Sequence, residues 1–296
     1  MRSSLAETPC SVDIVNVFTY DGTGGNPCPL VVDARSMNGE EMQSVARQHG
    51  LEAGFVLPPS DDDFDFALRF YVPNHEMEMC GHATVGALWL LARRGRLANT
   101  TVRLATRGGP VTAFVSTGAD GTSSVAITQP AGRVSSLTAE QGNEVLHALG
   151  IGRDALEDLP LHNAVTSRTK TLVPMKDAER LNALVADPAR IEEVCRRIGS
   201  TGLYPYAVLD REARTFEARQ FPRSSGYAED AATGIAATAL AFGLLTDATI
   251  DPDDRLIRIF QGRSLGRLSE IHVRIGFADD RAIGCLLGGA VTMSTR

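Results

Sequence analysis

A thiol, a glycine and an imidazole stand side by side at Cys80, Gly81 and His82, directly before an apolar run of small residues at 83–92. Such a run is typical of a buried helix. The first turn of a helix leaves backbone N–H groups without partners and carries partial positive charge. The pattern therefore predicts a site for a small carboxylate, with Ala83 in the same turn. A purely structural histidine before a buried helix is the alternative interpretation.

This motif has a second copy half a chain later. Residues 66–71 (Phe-Ala-Leu-Arg-Phe-Tyr) recur as residues 216–221 (Phe-Glu-Ala-Arg-Gln-Phe), and in the same register residues 80–87 correspond to residues 229–236. A helix, two strands and a small-residue helix thus recur in one order. The repeat predicts an α+β fold of two pseudo-symmetric lobes, each a mixed or antiparallel sheet wrapped around one central helix. Chance similarity between amphipathic segments is the alternative, and the repeated order disfavours it.

Two lobes of one fold meet along a cleft, and a pseudo-twofold axis would aim both helix starts at that cleft. Two helix starts can hold one small acid without any lysine or arginine. An imidazole on one side that faces a carboxylate on the other suits a zwitterionic ligand. The candidate binding residues are Cys80, Gly81, His82 and Ala83 on the first side and Glu229, Asp230, Thr233 and Gly234 on the second.

The length of 296 residues favours two lobes. We predict an N-terminal lobe at 1–128 and a C-terminal lobe at 129–296, with the last strand, near 290–293, able to cross back to the N-terminal lobe. Near the start of the chain, Asn38 is suited to cap a helix over residues 39–49.

The bulk composition is that of an ordinary globular protein, with 43% hydrophobic and 22% charged residues. The net charge of −7 and the lack of any basic cluster argue against a nucleic-acid partner. The sequence contains no apolar segment of the length that a signal peptide or a membrane span requires, so we expect no membrane contact and a cytoplasmic location.

The spacing of cysteines and histidines gives no sign of a metal site. The five cysteines are odd in number and form no Cys-x-x-Cys pair, and the histidines are isolated. The glycine-rich loop at 22–27 includes Asn26 but lacks the Gly-Lys-Ser/Thr of a phosphate loop. We therefore expect neither a disulfide framework nor a metal nor a bound nucleotide. The cysteines are Cys10, Cys28, Cys80, Cys195 and Cys285.

Four ordered motifs resemble the PhzF-like phenazine-biosynthesis family, whose members share the diaminopimelate epimerase fold. They are Gly-Gly-Asn-Pro at 24–27, Glu52 just before Phe-Val-Leu-Pro at 55–58, Cys-Gly-His-Ala-Thr-Val-Gly at 80–86 and Glu-Asp-Ala-Ala-Thr-Gly at 229–234. The resemblance runs over essentially the whole chain, and it is more specific for the family than for a substrate.

The resemblance implies a cofactor-free isomerase that forms a homodimer. Glu52 would be the general acid/base that moves a proton along the diene of a small cyclic amino-carboxylate such as trans-2,3-dihydro-3-hydroxyanthranilate, and so converts an enol to its ketone. His82 and Asp230 would hold the carboxylate and amine or polarise the ring substituents, while Gly81 and Gly234 would lend backbone groups. A carboxyl at a strand end among buried neighbours suits this role. An exposed loop carboxylate is the alternative for Glu52.

Some positions depart from the family pattern. In related racemases two thiols act on opposite faces of a carbon, whereas here Ala231 or its neighbour replaces the second thiol, so Cys80 is expected to be a small buried residue rather than a base. Leu51 stands where a small polar residue usually precedes the glutamate. After Phe221 the chain continues as Pro-Arg-Ser-Ser, and Arg223 and Tyr227 are expected to line the cleft and to alter specificity.

Two rival functions remain open at this point. The same scaffold and Glu52 can catalyse C–C bond hydrolysis, or another isomerisation of a conjugated amino acid in antibiotic biosynthesis. The chain can also be a binding protein for a small acid that has lost its chemistry. Glu52, His82 and Asp230 together favour catalysis over binding alone.

Overall fold

A computed structural model of the chain describes residues 11–59, 61–118 and 121–294. Within these residues, 18 strands pair into one connected sheet system. Four of the five cysteines are free and buried, and Cys10 lies outside the described residues.

The N-terminal half contributes eight strands and two helices within the described chain. In chain order they are β1 (Asp13–Thr19), β2 (Asn26–Val31), α1 (Gly39–His49), β3 (Ala53–Leu57), β4 (Phe66–Tyr71), β5 (Glu76–Met77), α2 (Gly81–Arg93), β6 (Thr101–Thr106), β7 (Gly109–Thr117) and β8 (Ser123–Pro130).

The C-terminal half contributes the remaining elements. They are β9 (Arg133–Ser136), α3 (Ala139–Leu149), β10 (His162–Val165), β11 (Thr169–Met175), α4 (Ala178–Asn182), α5 (Pro188–Arg197), β12 (Gly202–Asp210), β13 (Thr215–Ala218), β14 (Phe221–Pro222), α6 (Gly234–Thr246), β15 (Ile257–Gln261), β16 (Ser269–Ala278), β17 (Arg281–Gly288) and β18 (Ala290–Met293). Two short 3₁₀ turns lie at Arg153–Ala155 and Arg263–Leu265.

Both halves repeat one strand topology. In the first, β2 pairs parallel with β3, β3 antiparallel with β4, and β4 parallel with β6. In the second, β11, β12, β13 and β15 pair in the same parallel, antiparallel, parallel order. Helix α2 follows β4 and helix α6 follows β13, so each crosses to the next parallel strand. The predicted α+β architecture of two pseudo-symmetric lobes is thereby confirmed.

Each lobe closes around one apolar helix, α2 or α6, and each of these helices has 13 residues. Eleven residues of each are buried, because small side chains alternate with leucines on all sides. Gly86 allows the closest approach to the sheet, since a Cβ there would lie 3.0 Å from Val15 and 2.9 Å from Val17. Among the described residues, no helix combines the length and apolarity that a bilayer crossing needs.

The lobes are joined through β17 and β18. Strand β17 forms a hairpin with β16 and also pairs antiparallel with β8. Strand β18 pairs antiparallel with β1, so the last described strand lies in the sheet of the N-terminal half. The predicted boundary after residue 128 falls within β8. The sheet therefore passes from one lobe to the other without a flexible linker at this point.

Candidate active site

The first turns of α2 and α6 line a single cavity between the lobes. Its empty volume is about 560 Å³, with the solvent at its mouth included. Leu287 of β17 lies beneath both helix starts, because a Cβ added to Gly81 or Gly234 would lie 2.9 or 2.6 Å from its Cδ2 atom. The structure thus places Cys80, Gly81 and His82 opposite Asp230, Thr233 and Gly234 in the lining of one site.

The two helices at the cavity differ from the others in how they begin. Helices α1, α3, α4 and α5 start at a side chain that accepts a backbone N–H: Asn38, Thr138, Asp177 and Asp187. Helices α2 and α6 start at Cys80 and Thr233, neither of which makes a side-chain cap. Backbone donors and the positive ends of both helix dipoles are therefore directed at the cavity, where they favour an anion.

Glu52 lies between α1 and β3, and its side chain is 19% exposed. Its Oε1 accepts a hydrogen bond from the Tyr227 hydroxyl at 3.0 Å, across the lobe boundary. Its Oε2 accepts one from the Cys80 thiol at 3.2 Å and lies 3.6 Å from His82 Nδ1. The carboxyl is thus held in the cavity, and the alternative of an exposed loop carboxylate is wrong.

His82 is 4% exposed and presents its two ring nitrogens to different surroundings. Nδ1 lies 3.3 Å from Cys80 Sγ, whereas Nε2 is buried and has no hydrogen-bond partner among the described residues. Burial lowers the pKa of the imidazole, against the opposing effect of Glu52. A neutral His82 with one free ring nitrogen is suited to bind a polar group of a ligand.

Cys80 takes part in the site through its thiol hydrogen. Burial raises the thiol pKa well above its usual value, and the negative charge of Glu52 raises it further. As a protonated thiol, Cys80 donates a hydrogen bond to Glu52.

Glu52, Cys80 and His82 also bring an oxygen, a sulfur and a nitrogen atom within 4.8 Å of one another, a spacing that a metal ion could use. The sequence spacing gives no sign of this cluster. Hydrogen bonding between the three groups accounts for their separations.

Asp230 is held from both lobes. Its Oδ1 accepts from Asn26 Nδ2 at 2.9 Å, and its Oδ2 accepts from the Thr233 hydroxyl. Its main-chain oxygen accepts from Gln261 Nε2 at 2.8 Å. Burial, reinforced by Glu52, raises the pKa of Asp230 to about 7, so this carboxyl changes charge near neutral pH.

Four predicted binding residues do not appear in the cavity lining. Glu229 instead forms an ion pair with Arg219, with 2.7 Å between Oε2 and Nη2, because the buried guanidinium needs a counter-charge. Arg223 donates to the main-chain oxygen of Ser200 at 3.4 Å. Asn26 lies outside the lining and donates a hydrogen bond to Asp230, which is part of it. Ala83 is fully buried, with its Cβ packed toward Gly54 of β3.

The C-terminal lobe contributes a polar wall of the cavity that no sequence motif indicated. Arg168, Lys170, Thr201 and Gln220 line the cavity, so cationic side chains lie there beside the two helix starts. Lys170 is 6% exposed, and burial lowers its pKa to about 8. One signal was available, since the chain has only two lysines, Lys170 and Lys176. Met77, Met79, Pro222, Ser225, Tyr227 and Ile235 complete the lining.

Comparisons with known proteins identify relatives over nearly the full chain. A sequence profile described as phenazine biosynthesis-like protein, PhzC-PhzF, matches residues 15–296. A protein of Deinococcus radiodurans named as an uncharacterized isomerase is 31% identical over 285 residues, which cover 94% of this chain and 91% of that protein.

Solved structures give the same architecture. The crystal structure of a PhzF-family phenazine biosynthesis protein from Bacillus anthracis superposes with a TM-score of 0.84 at 24% identity and covers 96% of both chains. A probable proline racemase from Agrobacterium radiobacter superposes with a TM-score of 0.66 at 13% identity, over 96% of this chain and 90% of the other. These likenesses establish a fold shared by the phenazine-biosynthesis and racemase groups.

Proposed function

The chain belongs to the PhzC-PhzF family of phenazine biosynthesis-like proteins and is an isomerase, and we propose that it moves a proton between two carbons of a small conjugated amino-carboxylate with Glu52 as the single acid/base. The observation that carries the proposal is the Glu52 carboxyl in the cavity, in contact with Tyr227 of the opposite lobe and with Cys80 and His82 of its own.

One carboxyl suffices for the transfer. Glu52 in its ionised form takes a proton from one carbon, the electron pair of that C–H bond shifts along the diene, and the resulting carboxylic acid returns the proton to a second carbon. The enol so formed becomes the ketone when its O–H proton is lost to solvent and a solvent proton adds to the far carbon of the enol double bond. Tyr227 and Cys80 donate hydrogen bonds to the ionised form and keep both carboxyl oxygens in place. No cofactor is needed for these steps.

The remaining groups are placed to hold a zwitterion. The uncapped starts of α2 and α6 favour the substrate carboxylate. Asp230 in its ionised form suits the amine, and the free Nε2 of His82 suits a ring hydroxyl or carbonyl. We propose trans-2,3-dihydro-3-hydroxyanthranilate as the first compound to test.

The test is turnover in deuterated water. The wild-type protein is incubated with this compound and with a panel of conjugated cyclic amino acids, and NMR identifies the carbon that gains deuterium. We expect isomerisation with deuterium at one carbon, and Glu52→Gln is expected to lower the rate by about 100-fold or more. The absence of both turnover and deuterium incorporation across the panel would refute the proposal.

Two rival functions have distinct readouts in the same experiment. C–C bond hydrolysis on this scaffold would give a cleaved fragment visible by mass spectrometry. A binding protein without chemistry would give ligand shifts in the NMR spectrum but no product. The contacts of Glu52 with three cavity side chains favour an enzyme over a binding protein, whereas the products separate isomerisation from hydrolysis.

A homodimer is part of the same proposal, since the family resemblance implies it. Size-exclusion chromatography with light scattering on the full chain tests it. A mass near twice the chain mass of 31.6 kDa is expected, and a mass equal to that of one chain would contradict it.

A further inference from the structure

Two cations of the C-terminal lobe face the cavity without any partner of their own. Arg168 and Lys170 both line it, and among the described residues neither side chain makes a hydrogen bond or a contact ion pair. Lys170 is 6% exposed, which is unusual for an ammonium group that lacks a counter-ion at contact distance. The proposed proton transfer through Glu52 gives neither cation a role.

A side-chain amide beside them is also unpaired. Gln220 is 1% exposed and lines the cavity, yet neither its Oε1 nor its Nε2 has a hydrogen-bond partner among the described residues. Gly202 makes room for this amide, because a Cβ at that position would lie 2.2 Å from Gln220 Nε2. A buried amide left without partners costs stability, so a ligand that pairs with it gains binding energy.

Formal charges indicate what such a ligand carries. Glu52 and Asp230 contribute two negative charges to the lining when ionised, and Arg168 and Lys170 contribute two positive charges. The uncapped starts of α2 and α6 add roughly half a positive charge each. The site is thus about one charge positive, which complements an amino acid with two carboxylates rather than one.

We propose that Lys170 and Gln220, with Arg168 at their side, form a second anion subsite, and that the preferred substrate of this isomerase is an amino-dicarboxylate whose second carboxylate binds there. A monocarboxylate such as trans-2,3-dihydro-3-hydroxyanthranilate would leave this subsite empty and would be a poorer substrate. The inference rests on the proposed function in one respect, that this cavity is the substrate site. The first carboxylate is held at the helix starts, so the two subsites together fix the direction in which the substrate lies.

The charged surroundings of Lys170 come from several elements and set its response to pH. Burial lowers the pKa of Lys170 to about 8. Arg168 lowers it further, whereas Asp230, Glu52 and Cys195 favour the charged ammonium, but burial has the largest effect. A bound second carboxylate stabilises the ammonium, so it raises this pKa again. Binding of a dicarboxylate should therefore weaken as pH rises above about 8.

The test compares small aromatic acids as probes, so it does not depend on turnover. Calorimetry on the full chain measures binding of benzoate, which has one carboxylate, and of phthalate, isophthalate and terephthalate, which have two. We expect the best dicarboxylate to bind about tenfold more tightly than benzoate or better. Lys170→Met should remove this preference, so that the best dicarboxylate binds within about threefold of benzoate, and Gln220→Leu should reduce the preference in part.

Matched controls separate the effect of the second anion subsite on binding from effects of net charge or of misfolding. Lys176→Met removes the other, exposed lysine and should leave both affinities unchanged. A second measurement uses NMR on the wild-type protein labelled with ¹³Cε-lysine, in which two lysine signals are expected. A pH titration should show that the best dicarboxylate raises the pKa of Lys170, while benzoate leaves this pKa unchanged.

Equal affinity of wild type for benzoate and for every dicarboxylate, or an unchanged Lys170 pKa in the bound state, would overturn the inference. Isomerase activity on a monocarboxylate panel combined with either of these results would leave the proposed function intact and reject the second subsite alone. A dicarboxylate preference without turnover on any compound would support the second subsite and reject the proposed function.

Discussion

Glu52 accepts a hydrogen bond from the Cys80 thiol. The thiol keeps its proton because burial raises its pKa, which supports the proposal that the carboxylate is the base and the thiol its hydrogen-bond donor. Cys80→Ala removes one of the donors to Glu52, and we expect the turnover rate to fall by less than about tenfold.

Steady-state kinetics on Cys80→Ala beside Glu52→Gln measures this difference. The glutamine variant keeps the shape of the side chain but cannot carry the proton. Equal losses in the two variants would assign the chemistry to the thiol instead.

The role proposed for Asp230 predicts a dependence of the reaction on pH. Its pKa is raised to about 7, so the carboxylate proposed to bind the substrate amine is present above that pH and is protonated below it. We expect kcat/KM to rise with pH through about 7, and Asp230→Asn should lack this rise. A pH series on both proteins checks it, and an unchanged rise in Asp230→Asn would assign the titration to another group.

Residue patterns predicted part of the site. Glu52, His82, Asp230 and the two glycines at the helix starts could be named from motifs that repeat or resemble a family. Lys170 and Gln220 could not, because their place in the cavity depends on how β11 and the segment before Asp230 meet in space. Glu229 was misassigned since the sequence gives no sign that Arg219 is buried beside it.

Helix α2 depends on close contact with the sheet, and a glycine pair tests this. In Gly86→Ala the new Cβ meets the stiff, buried side chains of Val15 and Val17, so we expect a loss of about 1–3 kcal/mol in the free energy of unfolding. Gly142 of α3 has open space at its Cβ position, so Gly142→Ala should be stabilising by up to about 1 kcal/mol. Urea denaturation measures both. Similar changes in the two variants would mean that α2 is not tightly packed.

Strong local sequence patterns predicted the long helices and strands, whereas the shortest strands have no pattern from which they could be predicted. Helix α1 has the predicted bounds because Asn38 and Glu41 form a capping box and Gly50 ends the helix in a left-handed conformation. The two-residue strands β5 and β14 carry no periodic pattern, since their pairing is set by β4 and β12. Both nevertheless supply cavity residues, Met77 and Pro222.

At the scale of the complete fold, one core and one sheet link the lobes. The largest buried cluster contains residues of both central helices, such as Leu88 of α2 and Leu240 of α6, together with Leu287 of the shared strand β17. The repeat in the sequence predicted the two lobes, but the joint through β17 has no counterpart in the repeat. Only the three-dimensional pairing of β17 with β8 reveals it.

This shared core predicts cooperative unfolding. Trp89, the single tryptophan, is 7% exposed in α2 and reports on the N-terminal lobe, whereas far-UV circular dichroism reports on both lobes. We expect the two signals to give the same midpoint in urea. Separate midpoints would show that the lobes unfold independently.

Deuterium placed on the substrate carbon that loses its proton follows the transfer itself. The labelled substrate is incubated with wild type and with Glu52→Gln in ordinary water, and NMR measures the deuterium on the accepting carbon of the product. With one carboxyl that takes and returns the proton, wild type should carry a measurable part of the label to the accepting carbon, and Glu52→Gln should form almost no product. Transfer of label by Glu52→Gln at the wild-type rate would contradict the role of Glu52.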